Sequence, residues 1–110
     1  MEDFPESGDL LFQVPTLLGF RVRTTRSYWE TIICVKHPIM AGREREVKAT
    51  LENPEEIRRS RIDPDVYLFY RAEGANRWAC AVAKRLGEDG FLITAYPTDA
   101  IKEGTTVWPT

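Results

Sequence analysis

The feature that most constrains the fold of this chain is a change of pattern after residue 64. Three runs rich in β-branched and aromatic residues follow one another: DVYLFYRAE, RWACAVAKRL and GFLITAY. Only short glycine-containing connections, residues 74–76 and 87–90, separate them. Connections this short join neighbouring antiparallel strands, because parallel strands need a crossover of a dozen or more residues. The second half of the chain therefore predicts a consecutive antiparallel meander.

The first half has helical signals. FRVRTT at residues 20–25 alternates apolar and basic side chains, which is typical of a half-buried strand. Ser27 and Glu30 then form an S-x-x-E capping box that predicts the start of a helix. Pro38 should end this helix, because the residue before a proline is driven away from helical angles. His37, the single histidine, is therefore expected at or just past the helix C-terminus.

Further helices are predicted between the first helix and the meander. A second helix should span about residues 42–51. The sequence N-P-E-E at residues 53–56 resembles another helix start, with a cap, a proline and acidic residues in the first turn. We expect that helix to end near Ser60. Residues 99–108 then add either a short helix or an edge strand.

This order of elements predicts an α+β fold with N-terminal helices packed on one face of an antiparallel β-meander sheet of about four strands. Residues 1–9 are polar and are interpreted as a flexible leader, and residues 10–110 as a single domain. The register of the first hairpin has two solutions. A two-residue loop would group Tyr67, Phe69 and Arg71 with Trp78, Val82 and Lys84. A three-residue loop would group Val66, Leu68 and Tyr70 with Trp78, Cys80, Val82 and Lys84, and this more apolar set is favoured, with Tyr70 and Lys84 directed toward the helices.

Composition excludes several classes of function. A net charge of -2 argues against a domain that coats nucleic acid, although it leaves room for a small RNA-cleaving pocket. The chain has no apolar run of membrane-spanning length and no signal-peptide core, so we expect a cytoplasmic protein with Cys34 and Cys80 as buried free thiols. One histidine and two scattered cysteines give no metal-ligand spacing, and no nucleotide-binding motif indicates a cofactor.

A longer series of motifs follows the order found in a known family. The series is W-E-x-I, K-H-P, V-K-x-T-L-x-x-P-x-x-I-x-x-S, Y-x-x-x, V-A-K and I-T-A-Y, at residues 29–32, 36–38, 47–60, 67–70, 82–84 and 93–96. In this order and spacing the chain resembles the phage-associated branch of the barnase/EndoU/colicin/RelE-like nuclease superfamily, which has the BECR fold. The resemblance covers about residues 18–108.

The resemblance implies a metal-independent endoribonuclease of toxin or effector type that needs no cofactor and cleaves tRNA or other structured RNA. Its partners would be the RNA substrate and a cognate antitoxin or immunity protein, with no membrane involved. It also implies an active site where the helices meet the sheet. By their positions in the motifs, the implied catalytic residues are His37, Ser60, Tyr70, Lys84 and Thr94. The implied phosphate or RNA contacts are Arg45, Arg61 and Tyr96.

Several of these residues also have a purely structural interpretation, and the sequence leaves both open. An imidazole at His37 would serve as a proton donor or acceptor near neutral pH, or would only cap the helix carbonyls. Lys84 either extends along the sheet edge or lines a polar pocket, since an unpaired buried ammonium is costly. Tyr70 is either a core aromatic or a contact to a base or phosphate. The acidic net charge gives a second hypothesis, a catalytically degenerate relative that acts as an RNA- or protein-binding module.

Overall fold

The computed structural model describes residues 9–110, and its central element is one mixed sheet of seven strands. In chain order the strands are β1 (Leu10–Pro15), β2 (Arg21–Thr25), β3 (Glu56–Arg59), β4 (Val66–Gly74), β5 (Arg77–Leu86), β6 (Asp89–Thr98) and β7 (Thr105–Trp108). Across the sheet their order is β1-β2-β6-β5-β4-β3-β7. Neighbouring strands are antiparallel except β2 and β6, which are parallel. The leader predicted over residues 1–9 lies outside the described residues except for Asp9.

The helical part is short and lies between β2 and β3. Helix α1 (Arg26–Thr31) continues into a π-helical segment (Ile32–Lys36), a 3-10 turn (Pro38–Met40) follows, and then helix α2 (Glu44–Glu52). The N-cap of α1 is Thr25 instead of the predicted Ser27, because the Thr25 hydroxyl accepts a hydrogen bond from the Tyr28 backbone N–H at 3.1 Å. None of these helices is long and apolar enough to cross a bilayer.

The predicted fold class, N-terminal helices on a four-stranded meander, is wrong. Two strands precede the helices, the sheet has seven strands, and one pair is parallel. The segment predicted to start a third helix leads instead into β3, which pairs with β4 on one side and β7 on the other. These pairings outweigh the local N-P-E-E signal. The β2–β6 pair joins Arg21 to Asp89, and so distant a partner leaves no trace in a local pattern.

The meander prediction is confirmed for β4, β5 and β6, and residues 99–108 do add an edge strand, β7. The favoured hairpin grouping is also confirmed, because Leu68 pairs with Val82 and Tyr70 with Cys80. The turn itself is tighter than predicted. Gly74 pairs with Arg77, Asn76 has φ of 56°, and a bulge after Ala72 restores the register.

The two faces of the sheet differ in what covers them. The helix-covered face packs the strands against α1, the π-helical segment and α2, and its buried residues include Trp29, Leu51, Tyr67, Phe69 and Leu92. The other side, which we call the open face, is covered by none of the helices within residues 9–110 and holds a smaller cluster of Leu68, Tyr70, Cys80 and Val82.

The prediction that Tyr70 and Lys84 face the helices is therefore wrong, although their grouping is right. Tyr70 belongs to the cluster of the open face. Lys84 alternates with Cys80 and Val82 along β5 and therefore lies on the same side of the sheet as they do. The alternate set, Tyr67 and Phe69 with Ala81 and Ala83, faces the helices instead. The two alanines are small, which leaves room for α2 to pack on β5 and β4.

One segment crosses the open face. Because β5, β4 and β3 separate β6 from β7 in the sheet, residues 99–104 must pass over these strands, and we call them the strap. Ile101 of the strap packs on the cluster of the open face. Gly104 ends the strap with φ of 83°, and an added Cβ there would lie 2.6 Å from the Arg59 carbonyl oxygen. Only glycine fits so close a passage over β3.

Candidate functional site

A cleft of about 490 Å³ lies on the open face, between the strap and the loop that joins β3 to β4. Its floor is apolar and consists of Val66, Leu68 and Val82. The polar side chains around it are Ser60, Arg61, Thr94, Tyr96, Lys102 and Glu103. Four of the residues predicted for the site, Ser60, Arg61, Thr94 and Tyr96, therefore line one cavity, although they come from a loop and a strand that are more than 30 positions apart.

A β-bulge in β6 directs two of these residues into the cleft. Val82 pairs with Thr94 and Ala83 with Leu92, so Ile93 is an extra residue between them. Without the bulge, Leu92, Thr94 and Tyr96 would share one face, as the alternation of the sequence predicts. With it, Leu92 lies in the helix-covered core while Thr94 and Tyr96 reach the open face. Bulges frequently re-aim side chains in this way.

The bulge also anchors the helical segment to the sheet. The Ile93 carbonyl oxygen accepts hydrogen bonds from the Tyr28 hydroxyl at 2.9 Å and from the Lys36 ammonium at 3.0 Å. Beyond Phe91, β6 has no pairing with β2, so α1 and the π-helical segment lie along this edge. This attachment brings the end of the helical segment to the border of the open face.

His37 stands at that border. It ends the π-helical segment as predicted, and its backbone N–H donates to the Ile32 carbonyl at 2.7 Å, the wide turn typical of a π-helix. The His37 ring contacts the Tyr96 ring, with centroids 5.1 Å apart and planes tilted by 42°. Since Tyr96 lines the cleft, His37 is its neighbour at one end, partly exposed to solvent.

Lys84 lies at the opposite end. Tyr96 pairs with Cys80, and four residues along β5 separate Cys80 from Lys84, which is about 13 Å at the rise of a strand. The Lys84 ammonium forms an ion pair with Asp63 at 3.4 Å, and its side chain is 25% exposed. The pKa of Asp63 lies below its ordinary value, first because the Asp65 backbone N–H donates to the carboxylate at 3.0 Å, and then because of Lys84. Lys84 therefore fits neither interpretation, because β5 lies between β6 and β4 and not at the edge of the sheet, and Lys84 does not line the cleft.

The hydroxyls on the two sides of the cleft differ in their bonding. Ser60 Oγ accepts hydrogen bonds from the backbone N–H groups of Ile62 at 3.1 Å and Asp63 at 3.3 Å, so it caps the turn after β3. The Thr94 hydroxyl oxygen is buried and has no hydrogen-bond partner among the described residues. A buried hydroxyl without a partner is costly, so this group calls for an explanation.

Tyr70 is 2% exposed and does not line the cleft. Together with Tyr96 it flanks the Cys80 thiol, and Cys80 pairs with both of them across the strands. Burial, followed by the proximity of Cys80, raises the pKa values of Tyr70 and Tyr96 well above their usual range. Burial also raises the pKa of the Cys80 thiol to about 12, although hydrogen bonds with the two tyrosines oppose this. All three groups are therefore protonated at neutral pH, and Tyr70 fits its structural interpretation as a core aromatic.

The structure does not bring Arg45 to the cleft. It is exposed on α2, the helix that covers the other face of the sheet, among Glu44, Glu46 and Lys48. Arg61 does border the cleft, and among residues 9–110 its side chain makes one weak contact, from Nε to Thr105 Oγ1 at 3.4 Å. Its guanidinium is otherwise available to a ligand on the open face.

Sequence reasoning missed Lys102 and Glu103, two charged cleft residues that belong to the strap. The signal available was the pattern I-K-E-G before the last strand, which carries both charges but says nothing of where the segment runs. Within residues 9–110, no three side chains of His, Cys, Asp or Glu are grouped as a metal site would require. Both cysteines are free thiols as predicted, but Cys34 is exposed and only Cys80 is buried.

Comparisons with known proteins gave no match, whether with protein-family models, with curated proteins or with solved structures. The resemblance to BECR-fold nucleases therefore rests on the sequence motifs alone, and the function has to be inferred from the geometry of the cleft.

Proposed function

We propose that this protein is a metal-independent endoribonuclease of toxin or effector type, acting on tRNA or other structured RNA. The observation that supports it best is the convergence of Ser60, Arg61, Thr94 and Tyr96 on one cleft, with His37 against Tyr96. His37, Ser60, Thr94 and Tyr96 were selected from motif positions and Arg61 as a nearby cation. They lie in three different segments: the end of the π-helical segment, the loop between β3 and β4, and β6. A cytoplasmic location belongs to the same proposal and agrees with two unpaired thiols.

The proposed reaction needs no metal. A base removes the proton of the ribose 2′-OH, the 2′-oxygen attacks phosphorus, and an acid donates a proton to the departing 5′-oxygen. The products are a 2′,3′-cyclic phosphate and a 5′-hydroxyl. His37 fills one proton-transfer role at its end of the cleft. Glu103, a carboxylate that lines the same cleft, is the group suited to the complementary role.

The cations around the cleft have separate tasks in this scheme. Arg61 and Lys102 line it and would hold the phosphate, since a guanidinium binds two phosphate oxygens and an ammonium acts as a point charge. Lys84 is paired with Asp63, and it lies about 13 Å along β5 from Cys80, the residue that pairs with Tyr96. It would therefore contribute only to the electrostatic attraction of the RNA backbone. The roles first expected for Lys84 and Tyr70 at the reacting atoms are therefore not part of the proposal.

The test is cleavage of total tRNA in EDTA by the wild type, His37→Ala and Arg45→Ala. The wild type should produce fragments with 2′,3′-cyclic phosphate ends, detected by mass spectrometry. His37→Ala should be slower by about 100-fold or more, the size of a lost general acid or base. Arg45→Ala, on the other face, should cleave like the wild type. Intact tRNA after incubation with the wild type, or equal rates for His37→Ala, would refute the proposal.

The second candidate is a catalytically degenerate relative that binds RNA or a protein partner without cleavage. It is favoured by one observation, that the single histidine and Lys84 stand at opposite ends of the open face and do not act on one phosphate. Expression in growing cells separates the two candidates. Growth arrest that is lost in His37→Ala supports the nuclease and its need for an antitoxin or immunity protein. Harmless expression, with tRNA bound but intact, supports the binding module.

A further inference from the structure

We infer that the apolar floor of the cleft is a subsite for one unpaired nucleobase, so that the preferred substrate is single-stranded or looped RNA and not a continuous duplex. This inference rests on the proposed RNA-directed function of the same cleft. It adds the feature of the RNA that the protein would recognise, which neither the motifs nor the proton-transfer residues specify.

The shape and lining of the cleft fit a base. Its volume of about 490 Å³ falls in the range of small-ligand pockets and is far too small to admit a double helix. Val66, Leu68 and Val82 form a floor of aliphatic side chains, against which the flat face of a base would pack. A base is available for such packing only where it is unstacked, because proteins read RNA mostly at loops, bulges and ends.

The walls offer what the edge and face of a base require. The Thr94 hydroxyl oxygen is buried in the wall without a hydrogen-bond partner, and a hydroxyl both donates and accepts. Rotation about the Thr94 Cα–Cβ bond would turn the hydroxyl toward the cleft, where the edge of a base would satisfy it. The Tyr96 ring forms part of the same wall and is held by His37 on another side, so it is a fixed aromatic surface for stacking.

Charge favours a nucleotide over an apolar peptide as the occupant. The charged side chains that line the cleft are Arg61, Lys102 and Glu103, of which two are cationic. A base on the floor would place its 5′- or 3′-phosphate near this rim. An apolar peptide side chain would use neither the cations nor the Thr94 hydroxyl.

Binding of small probes tests the inference independently of cleavage. Methyl signals of Val66, Leu68 and Val82 are followed by NMR during titration with each nucleoside 5′-monophosphate and with ribose 5-phosphate, which has no base. The nucleotides should shift these signals, and at least one of the four should bind about tenfold more tightly than ribose 5-phosphate. Equal shifts with both classes of probe, or no shift with either, would overturn the inference.

Thr94 variants refine the test. Thr94→Val keeps the volume but removes the hydroxyl, and it should weaken nucleotide binding by about 3- to 10-fold, the size of one neutral hydrogen bond. Thr94→Ser restores the hydroxyl and should restore binding. Thr31→Val, an exposed threonine of α1, is the matched control and should bind like the wild type. Unchanged nucleotide binding in Thr94→Val would contradict the assigned role of this hydroxyl and with it the base subsite.

The two proposals fail in different ways. Nucleotide binding without RNA cleavage would refute the nuclease and leave the base subsite standing in a binding module. Cleavage that proceeds equally well on a perfect duplex and on its separate strands, with no nucleotide binding, would refute the base subsite and leave the nuclease standing.

Discussion

The two faces of the sheet differ in how much of their surface is buried. The helix-covered face contributes most to the stability of the fold, and the open face is accessible to ligands. Among the described residues, the buried cluster of the helix-covered face has sixteen members and that of the open face four, so truncation on the first face removes partners on all sides. On the open face, by contrast, side chains such as Val82 border a cleft that solvent enters. A fold of this size has one main core, and here the second face is left for a site.

The two cysteines, one in the cluster of the open face and one on the π-helical segment, give the largest expected contrast. Cys80 lies in the buried cluster with a thiol pKa raised by burial to about 12, whereas Cys34 on the π-helical segment is exposed. A thiol whose pKa is raised so far is almost entirely protonated at pH 8, the thiolate is the reactive form, and burial also blocks access of the reagent. Iodoacetamide should therefore modify Cys34 and spare Cys80, as read by peptide mapping. Both should react in guanidinium chloride. Similar rates of modification of the two thiols in the folded protein would show that the cluster around Cys80, on which the strap packs, opens readily.

Leu92 and Leu68 compare the two faces directly, because both lie on strands of the sheet and point in opposite directions. Leu92 is 0% exposed in the helix-covered core, and Leu68 is 5% exposed and forms part of the cleft floor. Leu92→Ala should lower the free energy of unfolding by about 3–5 kcal/mol, and Leu68→Ala by about 2–3 kcal/mol, since a cavity next to a cleft can fill with water. Denaturant unfolding measures both. An equal or larger loss in Leu68→Ala would mean that the open face carries as much of the core.

The smallest effect concerns Glu56, a carboxylate on the open-face side of β3. Burial raises its pKa, but hydrogen bonds from Thr106 at 2.5 Å and Arg58 at 2.7 Å outweigh this, and the pKa lies below its ordinary value. Because the pKa of Glu56 is lower in the folded protein than in the unfolded chain, where it is about 4.5, the ionised carboxylate stabilises the folded state above that pH. This stabilisation is lost as the pH falls through the pKa of the folded state.

The free energy of unfolding at pH 7 should therefore be higher for the wild type than for Glu56→Gln, by less than about 1 kcal/mol. This difference should vanish in acid. Denaturant unfolding at a series of pH values measures it. Asp89→Asn, which removes the exposed Arg21–Asp89 pair, is the control and should change stability even less. A difference that persists or grows in acid would contradict the assigned hydrogen bonds.

Local patterns predicted the parts of the fold that depend on neighbours in sequence. The alternation of Leu68, Tyr70, Cys80 and Val82 fixed the hairpin grouping, and Pro38 fixed where the helix ends at His37. Which of the two alternating sets of side chains on β4 and β5 faces the helices was not predictable, because both sets are apolar enough to be buried. The bulge at Ile93 was equally hidden, since an extra residue changes the direction of side chains without changing composition.

The residues predicted for the site differ in where the structure puts them. Thr94, Tyr96 and Ser60 came from motif positions and Arg61 was placed more loosely, and all four line one cleft. Arg45 lies away from it, because a helical charge gives no information on which face of the sheet its helix covers. Lys102 and Glu103 were missed because the path of the strap depends on the position of β7 beyond β3, which is a property of the whole sheet.

The parallel pairing of β2 with β6 has a consequence for the order in which the chain acquires its parts. Residues 21–23 find their partner only at residues 89–91, and the carbonyl that holds Tyr28 and Lys36 belongs to Ile93. During synthesis from the N-terminus, β1, β2 and the helical segment are made early, but the β6 partners of β2, Tyr28 and Lys36 do not exist until residues 89–93 have been made. His37 meets Tyr96 only then. A ribosome thus has to synthesise β6 before the two ends of the candidate site can come together.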